Sequence, residues 1–172
     1  MSGERNREIQ ADSLDLFGLS RFLRRRGDSG RAHAACAQAL DLGLPAEFRP
    51  RARRELAQLA KRRGDHEGAA LLWRELAAEA TDSPEDSIHA CEQMAVYYER
   101  RLRDYVQAVE FAQLALAKLH RHGAGSRDSS PARGARLEKS LLNRIARLRQ
   151  RISFTESART SLPLTSHPRR VA

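Results

Sequence analysis

Apolar residues recur at spacings of three and four along most of this chain, the period of a helix that buries one face. Leu14, Leu16, Phe17, Leu19, Phe22 and Leu23 mark the apolar face of a first helix, which the pattern starts near Ala11. Ala32, Ala35, Cys36, Ala39 and Leu40 mark a second helix over about 29–42. Leu56, Leu59 and Ala60 mark a third over 46–63, and Ala69, Leu72, Trp73 and Leu76 a fourth. Ile88, Cys91, Ala95 and Tyr98 predict a fifth from 84 to 101. Ala108, Phe111, Ala112, Ala115, Leu116 and Leu119 predict a sixth, up to His120. A last stripe of Leu137, Leu141, Leu142, Ile145, Leu148 and Ile152 predicts a helix over 131–153.

The polar breaks between these stripes repeat. Arg25-Arg26-Gly27-Asp28 and Arg62-Arg63-Gly64-Asp65 are two copies of one turn, and Arg100-Arg101-Leu102-Arg103-Asp104 is a third without the glycine. The turn aspartates are 37 and 39 residues apart, and each is followed four residues later by alanine: Ala32, Ala69 and Ala108. Glycine ends a helix because it accepts the left-handed conformation, and aspartate starts the next by accepting from free N–H groups. The third turn, lacking glycine, is expected to differ in backbone shape while pairing the same helices. The segment 81–87 reads as a linker in which Ser83, Pro84 and Asp86 form a helix start. Residues 1–10 read as a disordered lead, 11–120 as the repeats, 121–130 as a loop, 131–153 as a basic amphipathic helix and 154–172 as a disordered tail.

Composition agrees with helices throughout: the chain is 41% hydrophobic but only 5% aromatic, with Ala and Leu predominating. Charge changes the picture. Residues 1–120 hold 19 basic and 19 acidic side chains, whereas residues 121–172 hold 12 and 3, so the net charge of +9 lies at the C-terminal end. An arginine-rich end can attract nucleic acid or an anionic surface. The start, MSGERNREIQ, is not a leader peptide, and no apolar run reaches membrane-spanning length; the expected location is cytoplasmic. Cys36 and Cys91 lie apart within apolar stripes and read as small core residues, and Trp73 reads as a packing residue. No cysteine pair, phosphate loop or nucleophile–base arrangement stands out. The expectation is a chain that is not an enzyme and takes no cofactor and no metal.

The spacing Gly27-Asp28…Ala32…Cys36…Ala39, repeated as Gly64-Asp65…Ala69…Trp73…Leu76 and as Asp104…Ala108…Ala112…Ala115, resembles the tetratricopeptide repeat family. The resemblance covers about 12–120. It implies an all-α fold: a right-handed superhelix of antiparallel helix pairs, about three repeats plus a C-terminal helix. The chain departs from the family in its 37- and 39-residue periods and in its first helices, which lack the usual Trp, Gly and Tyr. The run DSLDLFGLSRFL, followed by repeats and an Arg/Leu-rich helix, also resembles the C-terminal part of bacterial proteins that join an RNase H-like exonuclease domain to such repeats. In those proteins the nuclease domain ends in a short acidic helix, and Asp15 would fall near that segment's acidic residue, but one carboxylate cannot hold two metal ions.

By the resemblance, first helices line a concave groove. The family's groove positions fall on Phe17, Arg21 and Arg24, on Arg54, Gln58 and Lys61, and on Gln93, Tyr97 and Arg100. Five of these nine are basic and none is acidic. The expected function is a protein-interaction scaffold whose basic groove holds a protein partner or acidic peptide, because guanidinium forks match carboxylates. The alternative is a nucleic-acid-associated module that uses the Arg-rich last helix and tail. Two readings are open to that helix: a cap on the end of the array, or a peripheral arm.

Overall fold

The computed structural model describes residues 2–78, 84–123 and 131–160, and these are helical almost throughout. Helix α1 is Ser2–Arg25, α2 Ser29–Asp41, α3 Arg49–Arg62, α4 His66–Ala78 and α5 Pro84–Tyr97. A π-helical turn, Tyr98–Leu102, continues α5; α6 is Tyr105–Gly123 and α7 Pro131–Thr160. Each helix packs on the next in sequence, giving the helix pairs α1/α2, α3/α4 and α5/α6 with α7 laid on α6. Among the described residues there is no strand, and no helix is long and apolar enough to cross a membrane.

The turns behave as their residues dictate. Gly27 and Gly64 sit at φ +84° and +85°. Behind them the Asp28 N–H reaches the Leu23 carbonyl at 3.1 Å, and the Asp65 N–H reaches Ala60 at 3.0 Å. All three turn aspartates cap the helix that follows. Asp28 accepts from the Arg31 N–H at 3.0 Å, Asp65 from Gly68 at 2.8 Å and Asp104 from Gln107 at 3.0 Å. The third turn holds one residue more between carbonyl and amide: the Asp104 N–H bonds Tyr98 at 3.0 Å. That residue widens the end of the helix into the π-turn, and Arg103 takes the left-handed conformation at φ 55° in place of glycine.

Small residues let the paired helices touch. The anchors Ala32, Ala69 and Ala108 are buried, as are Cys36, Trp73 and Ala112 four residues on, and Ala39, Leu76 and Ala115 after them. One cluster joins Phe17 of α1 to Cys36 and Ala39 of α2 and to Ala52 and Leu56 of α3. A larger one runs from Ala57 through Trp73 and Met94 to Leu141. A third joins Ala95, Ala108 and Ala112 to Ile145 and Leu148 of α7. Both cysteines are free and buried. Burial pushes the Cys36 thiol up to about 12 and the Cys91 thiol to about 11, so both stay protonated at neutral pH.

The structure differs from the sequence expectation in several places. Helix α1 begins at Ser2 rather than near Ala11. The apolar period starts only at Leu14, but Arg7, Glu8, Ile9 and Gln10 present no helix breaker. At the other end α7 runs seven residues past 153, to Thr160. Leu14, Leu19, Phe22 and Leu142, all counted into apolar faces, are exposed. The Ser83 helix start, most of the 121–130 loop and the tail from 161 lie outside the described residues.

Candidate functional site

The first helix of each pair meets the first helix of the next through polar side chains. Arg21 and Arg24 of α1 face Glu55 of α3, at 3.7 and 3.8 Å from Nε to the carboxylate. Arg54 of α3 bonds Asp86 of α5 at 2.7 Å, and Lys61 bonds Gln93 at 2.9 Å. From the π-turn that ends α5, Glu99 holds Arg144 and Arg147 of α7 at 2.8 and 2.7 Å. A row of charged contacts thus runs across α1, α3, α5 and α7.

Five of the nine expected groove residues join this row, and one does not belong to it at all. Phe17 is buried against Cys36 and Leu56 and lines no groove. It stands on the flank of α1 that packs on α2 and α3, and a large apolar ring gains more from burial than from lining a polar face. Arg21, Arg24, Arg54, Lys61 and Gln93 all reach across to a neighbouring first helix, as just described. Tyr97 lies half-buried with its ring edge on Tyr98, at 5.9 Å between centroids. Gln58 is half-buried and Arg100 exposed.

The expectation of a row without acids needs correcting. Glu55, Asp86 and Glu99 all lie in it, and all three are buried. A readable signal existed. Glu55 stands three residues after Ala52 and four before Leu59, and Glu99 four after Ala95, so both fall on apolar stripes. An acid on such a stripe must be paired or pay for its desolvation.

Electrostatics divide the row. Asp86 and Glu99 are matched by hydrogen bonds at ordinary distances. Glu55 is different. Three guanidinium groups surround it, since Arg51 of its own helix also approaches, at 3.5 Å. All three contacts are ion pairs too long to be hydrogen bonds. Among the described residues, Arg21 Nε, Arg24 Nε and Glu55 Oε2 are buried without a hydrogen bond. Three cations around one carboxylate leave two positive charges in excess.

Other polar contacts hold helices in place. The Lys118 ammonium of α6 donates to the Ala77 carbonyl at 3.0 Å and to the Ser87 hydroxyl at 2.7 Å. Ser20 donates to the Ala32 carbonyl at 2.8 Å, which ties α1 to α2. On α7, Arg147 and Arg144 are drawn to Glu99, Arg151 lies over the Tyr105 ring at 5.6 Å, and Arg133 approaches Glu85 at 3.9 Å. Among the described residues no group of three or more His, Cys, Asp and Glu side chains is placed to hold a metal ion. No protein-family model matches the chain, and no curated protein matches it in sequence.

Proposed function

We propose that this chain is a non-catalytic, tetratricopeptide-like interaction scaffold that holds an acidic peptide against the arginines of α1 and α3. The observation that carries the reading is the cluster at Glu55. Arg21, Arg24 and Arg51 bring three charges to one carboxylate, and two buried guanidinium Nε atoms have no acceptor. A peptide carboxylate meeting the exposed parts of these guanidinium groups would balance the excess charge. Lys61, Tyr97 and Arg100, farther along the first helices, extend the surface for the rest of the peptide. The repeated cap and anchor pattern at Asp28, Asp65 and Asp104 supports a superhelical array of three units whose first helices share a face.

The alternative is a nucleic-acid-associated module that uses α7 and the tail. Four arginines of α7 make contacts within the chain, of which Arg133, Arg147 and Arg151 stay exposed, as do Arg136, Lys139 and Arg149.

A fluorescence-polarisation titration tests the reading, using a labelled pool of Glu/Asp-rich peptides with free C-termini. Saturable binding that is lost in Arg21→Glu/Arg24→Glu, and that excess duplex DNA does not compete away, supports it. Unchanged binding in that variant overturns it. Binding to DNA that falls steeply with salt and survives the α1 changes favours the α7 alternative.

A further inference from the structure

The internal repeat allows the start of the array to be compared with its own interior. In α3, Ala52, Leu56 and Leu59 are buried against the preceding second helix, α2, and its neighbours. The turn aspartates place Asp15, Leu19 and Phe22 of α1 at the same positions, 37 residues earlier. No second helix precedes α1 among the described residues. Leu19 is 46% exposed and Phe22 53% exposed, while their counterparts Leu56 and Leu59 are 7% and 0% exposed. This face of α1 thus matches the covered face of α3, and among the described residues no helix lies on it.

Its charges state which helix fits. Asp12 stands seven residues before Leu19 and Arg26 seven after, and residues seven apart lie on one side of a helix. The acidic half, Asp12 and Asp15, and the basic end, Arg26, thus flank an apolar centre. Two such faces laid antiparallel about Leu19 set each Asp12 beside the other copy's Arg26 and bury Leu19 against Leu19. Arg26 already lies over the Phe22 ring, 5.6 Å from its centroid, at the edge of this face. Laid parallel, the same faces would set like charges together.

We propose that the bare face of α1 is a self-association surface, pairing with the same face of a second copy in an antiparallel, two-fold arrangement centred on Leu19. Such an interface is isologous, so each charge pair occurs twice. Arg21 and Arg24 lie on a different flank of α1, toward α3, and the pairing does not depend on the peptide-binding reading.

Sedimentation velocity of the full chain at low salt, across the micromolar range, tests the proposal. The expected result is a dimer that dissociates on dilution and on raising salt. Phe22→Glu, at an exposed position, is expected to leave helicity by circular dichroism unchanged and to give a monomer at every concentration. Asp12→Arg is expected to lose the dimer, and Asp12→Arg combined with Arg26→Asp to regain it. A wild-type chain that stays monomeric overturns the proposal, as does a dimer indifferent to Phe22→Glu. A combined charge swap that remains folded and fails to restore the dimer overturns the antiparallel pairing.

Discussion

Glu55 and Glu99 are both buried glutamates on the row of first helices, both surrounded by arginine, and they are held in different ways. Glu99 meets one guanidinium per oxygen, at 2.7 and 2.8 Å, and both partners come from α7. Its charge is consumed in fastening the last helix to the π-turn. Glu55 meets three guanidinium groups at 3.5 to 3.8 Å, with hydrogen-bonding atoms on both sides unused. The same residue type thus serves as a fastener where donors and acceptors balance. Where they do not, it anchors a patch with unspent positive charge. A completed buried network contributes to stability, and an incomplete one is a place to look for a ligand.

The comparison can be broken most directly by removing each acid. Glu99→Ala is expected to cost about 2–4 kcal/mol, because it leaves two arginines facing a buried, vacated site. Glu55→Ala is expected to cost about 1 kcal/mol, since its ion pairs are long and its arginines roughly a third exposed or more. Urea unfolding measures both, and equal costs would remove the distinction. Double-mutant cycles sharpen it. Coupling of about 1–2 kcal/mol is expected for Glu99 with Arg144, against less than about 1 kcal/mol for Glu55 with Arg24.

Free anions probe the unspent charge. Inorganic phosphate at ten times its dissociation constant stabilises a one-site protein by about 1.4 kcal/mol. For a chain of this size that corresponds to a rise in Tm of about 3–6 °C. Scanning calorimetry should find that rise in the wild-type chain and lose it in Arg21→Gln/Arg24→Gln. The smallest effect is expected from Arg21→Gln alone in phosphate-free buffer, within about 0.5 kcal/mol of wild type, because no hydrogen bond is lost at Nε.

Much of the helical plan was legible residue by residue. The apolar stripes located each described helix, though not the start of α1 or the end of α7, since burial of one face imposes the 3.6-residue period on sequence. The three aspartates located every cap within the pairs. The missing glycine at the third turn foretold a different backbone there, and the chain supplies a π-turn with Arg103 in the left-handed conformation. The candidate site was less legible. Arg21, Arg24, Arg54, Lys61 and Gln93, named by resemblance, meet neighbouring first helices, whereas Phe17 is buried, and the acids Glu55, Asp86 and Glu99 in the same row were passed over. Which arginine meets which carboxylate depends on contacts such as Arg54 with Asp86, 32 residues apart, which no local period encodes.

Sequence alone therefore determined the helices, their turns and caps, and the small residues on which paired helices touch, because each follows from local backbone preference and from burial of one face. Only the tertiary structure decided that Glu99 is spent on α7 while Glu55 is left short of hydrogen bonds, and that Leu19 and Phe22 stand bare where Leu56 and Leu59 are covered. The physical reason is the same in both cases. Pairing and coverage belong to relations between helices distant along the chain, and those are set by packing rather than by the pattern within any one helix.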